Sequence, residues 1–281
     1  MLIDYHIHLE KTPYSKERLI QYLERGFKQG IDEFCITEHT HQFREAKQFL
    51  LKSVRKMVNG DIVDAWLYEH FTQSVEDYIN LVDSFKKEGY PIKVGCEVDY
   101  FEGEEEWIQS FVETYPWDFV LGSVHWIKGL PASIDNPNYT DLWKDKADDT
   151  YRAYFSLIKK AVTSGLFDAI AHLDLVKLFG FRPTSHLHDL MEAIVASMAE
   201  KGIGTELNTA GLRRPVCEMY PSKELLNLCK NYEIPITLGS DAHRPEEVGK
   251  DFDKAVQILK KTGYNKLSTF ENRQRGEVSI L

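Results

Sequence analysis

Short runs of consecutive apolar residues alternate along the chain with longer stretches in which apolar residues recur every three or four positions. The short runs are Leu2–Ile7, Glu33–Thr37, Ile92–Val98, Phe119–Val124, Ala169–His172, Gly204–Leu207 and Ile236–Gly239. Unbroken apolar character, as in Phe119-Val120-Leu121-Gly122-Ser123-Val124, marks strands covered on both faces, the habit of parallel sheets. The longer stretches predict helices. Ser15 caps one that runs to about Gln29, with Leu19, Ile20, Tyr22, Leu23 and Phe27 at helical spacing and Gly30 as its stop. Others fit Ser74–Lys87, Glu104–Thr114, Tyr151–Thr163, Leu187–Lys201, Ser222–Asn231 and Pro245–Lys261. This β-α alternation predicts a parallel α/β architecture, and seven such units can close into a barrel. No repeat, low-complexity tract or Gly/Ser linker interrupts it, so residues 1–281 read as one domain. Two stretches exceed ordinary βα loops: Thr40–Thr72, with a helical pattern around Glu45–Val58, and Trp126–Asp149, rich in Pro, Asp and Asn. Both follow strand C-ends, the mouth at which α/β barrels build active sites, and are expected to serve as lids or substrate loops.

That mouth is where the chemistry collects. Six of the ten histidines fall at strand C-ends: His6 and His8, His39, His125, His172 and His243. Glu97 in the third strand and Asp241 after the seventh join them. Residues i and i+2 of a strand share a face, so His6 and His8 can bind one ion side by side. A parallel barrel brings the other strand ends to the same rim. Each histidine alone is weak evidence; their conjunction at one end predicts a metal site. Imidazole with carboxylate suits Zn, Fe or Mn. Eight ligands exceed one tetrahedral ion and fit two or three, with Glu97 as the bridge. His41 reads as a substrate contact or a solvated loop residue. His70, His186 and His188 read as loop or helix-start residues. Asp4 and Glu38 flank ligands and can fix neighbouring imidazoles. Trp126, Trp143, Tyr151 and Tyr154 are core residues or a substrate wall.

Composition bounds the partners. Hydrophobic residues make up 43% and charged residues 28%, an ordinary soluble balance. A formal charge of −10 argues against a nucleic-acid surface, and bound cations would reverse the field locally for an anionic substrate. Cys35, Cys96, Cys217 and Cys229 form no CxxC pair and read as reduced thiols. The opening Met1-Leu2-Ile3-Asp4-Tyr5-His6 lacks the basic and apolar regions of a signal peptide, and no apolar run approaches the roughly 20 residues of a membrane span. A cytoplasmic protein is the expectation; the oligomeric state is not legible.

The motifs His6-Ile7-His8, Thr37-Glu38-His39, the strand-end His125 and His172, and Asp241-Ala242-His243 resemble those of the PHP family, named for polymerase and histidinol phosphatase domains. The stretches Glu206–Arg213 and Gly239–Pro245 resemble its histidinol-phosphatase branch. The resemblance spans nearly the whole chain. It implies a (β/α)7 distorted TIM-like barrel with its metal site at the strand C-terminal mouth, and hydrolysis of L-histidinol phosphate in histidine biosynthesis. It implies a first ion on His6, His8, Glu97 and Asp241, a second on Glu97, His125 and His172, and a third on His39 and His243. The family's further histidine after the first motif is missing from Leu9-Glu10-Lys11-Thr12-Pro13-Tyr14-Ser15. Glu10 stands there, as an oxygen ligand or as an acid behind the ligands. Asp241 or His243 is the candidate proton donor to the leaving alkoxide. Arg213 matches the family's substrate arginine, and Lys177, Arg214, Arg182 and Asn208 are further substrate candidates, with Arg244 more distant. Three other readings share parts of this pattern: a PHP phosphoesterase for another small phosphate or nucleotide, a metal-dependent amidohydrolase, and a non-enzymatic metal-binding domain. Glu97 in the bridging place and His243 after Asp241 disfavour the amidohydrolase.

Overall fold

The computed structural model describes residues 1–10, 13–57, 70–128, 130–131, 144 and 146–280. In chain order its strands are β1 (Ile3–Ile7), β2 (Glu33–His39), β3 (Ile92–Asp99), β4 (Phe119–Ser123), β5 (Trp126–Ile127), β6 (Leu130–Pro131), β7 (Ala169–Ile170), β8 (Gly204–Asn208), β9 (Ile236–Gly239), β10 (Lys266–Glu271) and β11 (Gln274–Ser279). The seven apolar runs make one parallel sheet in the order β1-β2-β3-β4-β7-β8-β9. β1 and β9 then meet at a seam. A single parallel bridge pairs Ile7 with Ala242, where His8 N–H donates to the Ala242 carbonyl at 2.8 Å. The result is a nearly closed seven-stranded barrel of the distorted TIM type.

Helices surround it: α1 (Lys16–Lys28), α2 (Lys47–Met57), α3 (Val75–Lys87), α4 (Glu105–Thr114), α5 (Ala147–Ser164), α6 (His188–Lys201), α7 (Lys223–Asn231) and α8 (Phe252–Thr262). The Ser15 hydroxyl accepts from Arg18 N–H, and Ser74 and Ser222 cap α3 and α7 in the same way. Among the described residues no helix is long and apolar enough to cross a membrane.

Four local differences from the pattern have physical causes. The helix expected over Pro245–Lys261 divides into a short turn at Pro245–Glu247 and α8, because Gly249 (φ 66°) and Asp251 (φ 63°) take left-handed backbone. Gly249 N–H donates instead to the buried Asp4 carboxylate at 3.1 Å. β7 stops at Ile170, two residues before the expected end, because His172 turns to φ 23°. β2 runs two residues further than expected and carries His39 opposite Glu97. The antiparallel β10–β11 hairpin has no counterpart in the apolar pattern; β11 is largely exposed and Val278 is its one apolar side chain. Its partner strand supplies Phe270, which packs 4.6 Å from Phe119 and 6.3 Å from Tyr5 between ring centroids. Arg273 clamps the hairpin to Asp168 with both Nε and Nη2. Of the long loops, Thr40–Thr72 contributes α2, whose pattern extended to Val58; residues 58–69, most of Trp126–Asp149 including Trp143, and Lys11 and Thr12 lie outside the described residues.

Helix α1 approaches the barrel most closely at Gly26. A Cβ there would fall 2.1 Å from Phe34 Cε1 and 2.6 Å from Phe34 Cζ. Gly26→Ala should therefore cost about 1–3 kcal/mol, as overpacking does, although helix propensity alone favours alanine by about 1 kcal/mol. Urea denaturation measures the difference, and a gain in stability would show that α1 is free to slide on β2.

Candidate metal centre

Glu97 is the hub. It lies near the mouth end of β3, 1% exposed, and its two carboxylate oxygens face different groups. Oε2 lies 2.8 Å from His39 Nδ1, 3.2 Å from His6 Nε2 and 3.5 Å from His8 Nε2. Oε1 lies 3.0 Å from His172 Nε2 and 3.5 Å from His125 Nε2. Asp241 completes the first group, with Oδ1 at 3.7 Å from His6 Nε2 and 3.6 Å from His8 Nε2. Glu10 anchors a third: Oε1 is 3.4 Å from His39 Nε2 and 3.7 Å from His41 Nε2, and Oε2 is 3.7 Å from His243 Nε2. All eight residues singled out as ligands, and Glu10, thus meet at the mouth.

The donor atoms are placed as a ligand set. Both ring nitrogens of His8 and Nδ1 of His39 are buried without a hydrogen bond, the latter despite its 2.8 Å approach to Glu97. His125 Nε2 and His172 Nε2 stand 3.2 Å apart. Two nitrogens held by one tetrahedral ion at about 2.0–2.1 Å stand about 3.3 Å apart. Donor atoms of His6, His8 and Glu97, of His39, Glu97 and His125, and of Glu10, His39 and His41 each cluster within 4.8 Å. The residues fit divalent ions.

Buried partners orient the rings from behind. Glu206 accepts from His6 Nδ1 at 2.9 Å and from His172 backbone N–H at 2.8 Å. Asn208 Nδ2 donates to Glu206 at 2.8 Å and to Asp241 at 3.2 Å. Asp99 holds His125 Nδ1 at 2.7 Å. Glu38 accepts from Leu9 and His39 N–H and lies 3.7 Å from His8 Nδ1, whereas Asp4 holds the backbone of Ser240 and Gly249. Glu206 and Asp99 were not singled out from the sequence. Their one signal there is position: each lies inside an apolar strand run or at its end, where a carboxylate must find a partner.

Electrostatics divide the imidazoles. Burial pushes His6 down, but the carboxylates of Glu206, Asp241 and Glu97 outweigh it and hold it well above its usual range. Burial likewise opposes and Asp99 raises His125, to about 9. Burial lowers His8 to about 4 and holds His39 well down, leaving neutral rings with free lone pairs. Burial would raise Glu97 and Asp241, yet the surrounding imidazoles hold both well below the usual carboxylate range. Two of the candidate ligands, His172 (φ 23°) and Asp241 (φ 52°), take left-handed backbone, the kind of local strain that collects at functional sites.

A cavity of about 880 Å³ opens over the cluster. His41, His70, Trp126, Leu175, Leu178, Arg214 and Tyr220 are among its walls. The substrate candidates separate. Arg214 lines the cavity. Arg213 Nη2 donates to the Ser240 carbonyl at 2.6 Å, behind Asp241. Asn208 is buried between two carboxylates. Lys177 is fully buried, donates to the Met219 carbonyl and pairs with Asp174 and Glu218. Arg182 pairs with Glu218 at 2.6 Å on the exposed side. Tyr151 and Tyr154 spend their hydroxyls on the Phe181 and His172 carbonyls, and His188 pairs with Glu224 on the surface. Arg244 pairs with Glu247.

The family model described as PHP domain matches residues 4–210, and a second, described as PHP-associated, matches residues 225–251. The chain belongs to the PHP family. A Deinococcus radiodurans relative named "Probable histidinol-phosphatase" is 30% identical over 97% of this PHP chain and 98% of its own length. A Bacillus subtilis relative named "Histidinol-phosphatase" is 27% identical over 90% of this chain and 98% of its own. The crystal structure of a Lactococcus lactis histidinol phosphate phosphatase, solved with zinc, L-histidinol and phosphate, superposes with a TM-score of 0.75 over 98% of both chains at 23% identity. At that identity the superposition speaks for the shared fold.

Two outcomes follow for this PHP cluster. Glu206→Gln weakens the charge behind His6 and should lower divalent-ion affinity about 10–100-fold; metal content measured after dialysis against graded chelator checks it, and unchanged retention would count against the role given to Glu206. The raised His125, at about 9, must release its proton before its ring nitrogen can take an ion. Affinity for added Zn or Mn should therefore increase as the pH is raised from 6.5 towards 9. Calorimetry in buffers of different ionisation enthalpy reads the released proton, and a pH-independent affinity would contradict it.

Proposed function

We propose that this chain hydrolyses L-histidinol phosphate to L-histidinol and phosphate. The observation that carries the reading is the divided Glu97 carboxylate, with imidazoles gathered on each oxygen, beneath a cavity sized for a small phosphate ester. Similarity along nearly the full length to histidinol-phosphatases supports the choice of ester. We read 1–281 as one domain, because β1 and the segment after β9 build the two sides of the same cluster.

We infer three ion positions: His6, His8, Glu97 and Asp241; Glu97, His125 and His172; and His39, His243 and Glu10, with His41 beside it. Nitrogen-rich sets with shared carboxylates suit Zn, Fe or Mn. Bound divalent ions supply Lewis-acid neutralisation of phosphoryl oxygens and lower the pKa of water. The protein's own groups do the rest. Asn208 and Glu206 fix His6 and Asp241 against each other. Arg214 brings a guanidinium to the cavity wall, suited to a phosphoryl group. The leaving alkoxide needs a proton. Asp241 and His243 both line the cavity and are the two groups placed to return that proton to the substrate oxygen. The apolar wall of Leu175 and Leu178 excludes water on one side.

The test is phosphate release from L-histidinol phosphate, p-nitrophenyl phosphate and a nucleoside monophosphate by protein stripped and reloaded with Zn, Mn or Fe. A kcat/KM for histidinol phosphate at least ~100-fold above the others, worth about 2.7 kcal/mol of transition-state selectivity, is expected. Metal-dependent turnover without that preference would leave a general phosphoesterase and remove the biosynthetic assignment.

A further inference from the structure

The loop after β8 leaves the barrel at Asn208 and returns to it at Tyr220. The two residues exchange backbone hydrogen bonds, Asn208 N–H to the Tyr220 carbonyl at 2.7 Å and Tyr220 N–H to the Asn208 carbonyl at 3.0 Å. The limbs of the loop touch at Gly211, where a Cβ would fall 1.9 Å from the Glu218 carbonyl oxygen. From below, Lys177 donates to the Met219 carbonyl at 2.7 Å and stands 5.3 Å from the centre of the Tyr220 ring. Asp174, paired with Lys177, accepts from Ser222 N–H at 2.8 Å. Tyr220 is thus held at its backbone, on its ring face and on both chain sides.

This rigidly held ring lines the cavity, edge-on to His172 at 6.3 Å, and is 1% exposed. Its hydroxyl is buried and has no hydrogen-bond partner among the described residues. The hydroxyls of Tyr5, Tyr78, Tyr154 and Tyr264 all have one, and that of Tyr14, which also has none, does not line the cavity. A buried hydroxyl left unpaired is costly, and buried tyrosines ordinarily find partners. One kept at a cavity wall is available to whatever enters the cavity. Its neighbours on the same loop say what that is. Arg214 lines the same cavity, and Arg213 Nη1 is likewise buried without a partner. These groups are donors, and the guanidinium has no acceptor to offer. Burial holds the Tyr220 hydroxyl protonated, as a donor must be. The acidic lining residues Glu10, Asp99 and Asp241 are engaged elsewhere, with His39, with His125 and with Asn208 and His8.

We propose that the Tyr220 hydroxyl is a substrate contact that donates a hydrogen bond to a phosphoryl oxygen, on the same wall as Arg214. The proposal rests on the phosphomonoesterase reading and adds a residue to it.

Tyr220→Phe removes only the oxygen and keeps the ring and its contact with Lys177. In the metal-loaded enzyme kcat/KM should fall about 10–100-fold, the range that a hydrogen bond to a charged group provides. The fall should be similar for histidinol phosphate and p-nitrophenyl phosphate, since the phosphoryl group is common to both. Inhibition by inorganic phosphate should weaken, inhibition by L-histidinol should not change, and metal content and melting temperature should be kept. Unchanged kinetics and phosphate inhibition would overturn the proposal. So would weaker histidinol inhibition with phosphate inhibition intact, which would place the hydroxyl on the leaving group. A variant that loses metal or melts earlier would show a structural role and overturn it too. Wild-type enzyme without preference for histidinol phosphate bears on the substrate alone, because the variant is compared with wild type on both esters.

Discussion

A fully buried carboxylate cannot stand as a charge by itself, and the site is built around meeting that demand at Glu97. Removing an ionised group from water costs several kcal/mol or more unless opposite charge and hydrogen bonds replace the lost solvation. Five imidazoles close on Glu97, three at one oxygen and two at the other. Those imidazoles come from β1, from the end of β2, and from just after β4 and β7, so satisfying one carboxylate requires the barrel to be assembled around it. The outer carboxylates follow from the same demand. Glu206 and Asp99 turn the rings so that Nε2 faces inward at His6 and His125, and Asn208 then shares its amide between Glu206 and Asp241. Layer by layer, charge alternates outward from a single buried acid.

The parts of this arrangement that sequence reveals are those governed by local period. Continuous apolar runs locate the strands, and a histidine or acid at the end of such a run lands at the mouth, because parallel strands share one direction. Glu10 was legible only as an oxygen donor where a histidine was expected, and its approach to His39, His41 and His243 comes from the fold. Contacts set by distant pairing were not legible. Glu206 serves a histidine two hundred positions away, and nothing in its own neighbourhood says so. Lys177 looks in sequence like a cation near the substrate, but burial with Asp174 and Glu218 makes it a tie beneath a loop. Tyr220 lies in an irregular segment with no period at all. The β10–β11 hairpin escaped because a two-stranded ribbon with one exposed strand carries little apolar signal, although Phe270 fills the barrel floor.

The polar mouth and the apolar floor also divide the work. At the floor, Tyr5 packs edge-on to Phe119 and Phe270 lies tilted against both, and Asp118 and Asp168 tie strands to the hairpin through backbone N–H groups and Arg273. At the mouth, strands end in irregular backbone at His172 and Asp241. The regular, apolar end supplies stability, which leaves the other end free to hold geometries that are costly by themselves.

The seam between β1 and β9 has a consequence for how the molecule comes into being. His6 and His8 stand on one side of it and Asp241 and His243 on the other, joined in the backbone by the Ile7–Ala242 bridge and beside it by Asp4, which holds the Ser240 and Gly249 N–H groups. A nascent chain presents the first pair long before the second. Through most of synthesis, those early histidines and Glu97 are an open set of strong ligands with no finished pocket. Competence therefore arrives in one late step, when the last strand docks. Barrel closure and completion of the His6–His8–Asp241 side of the cluster are the same event.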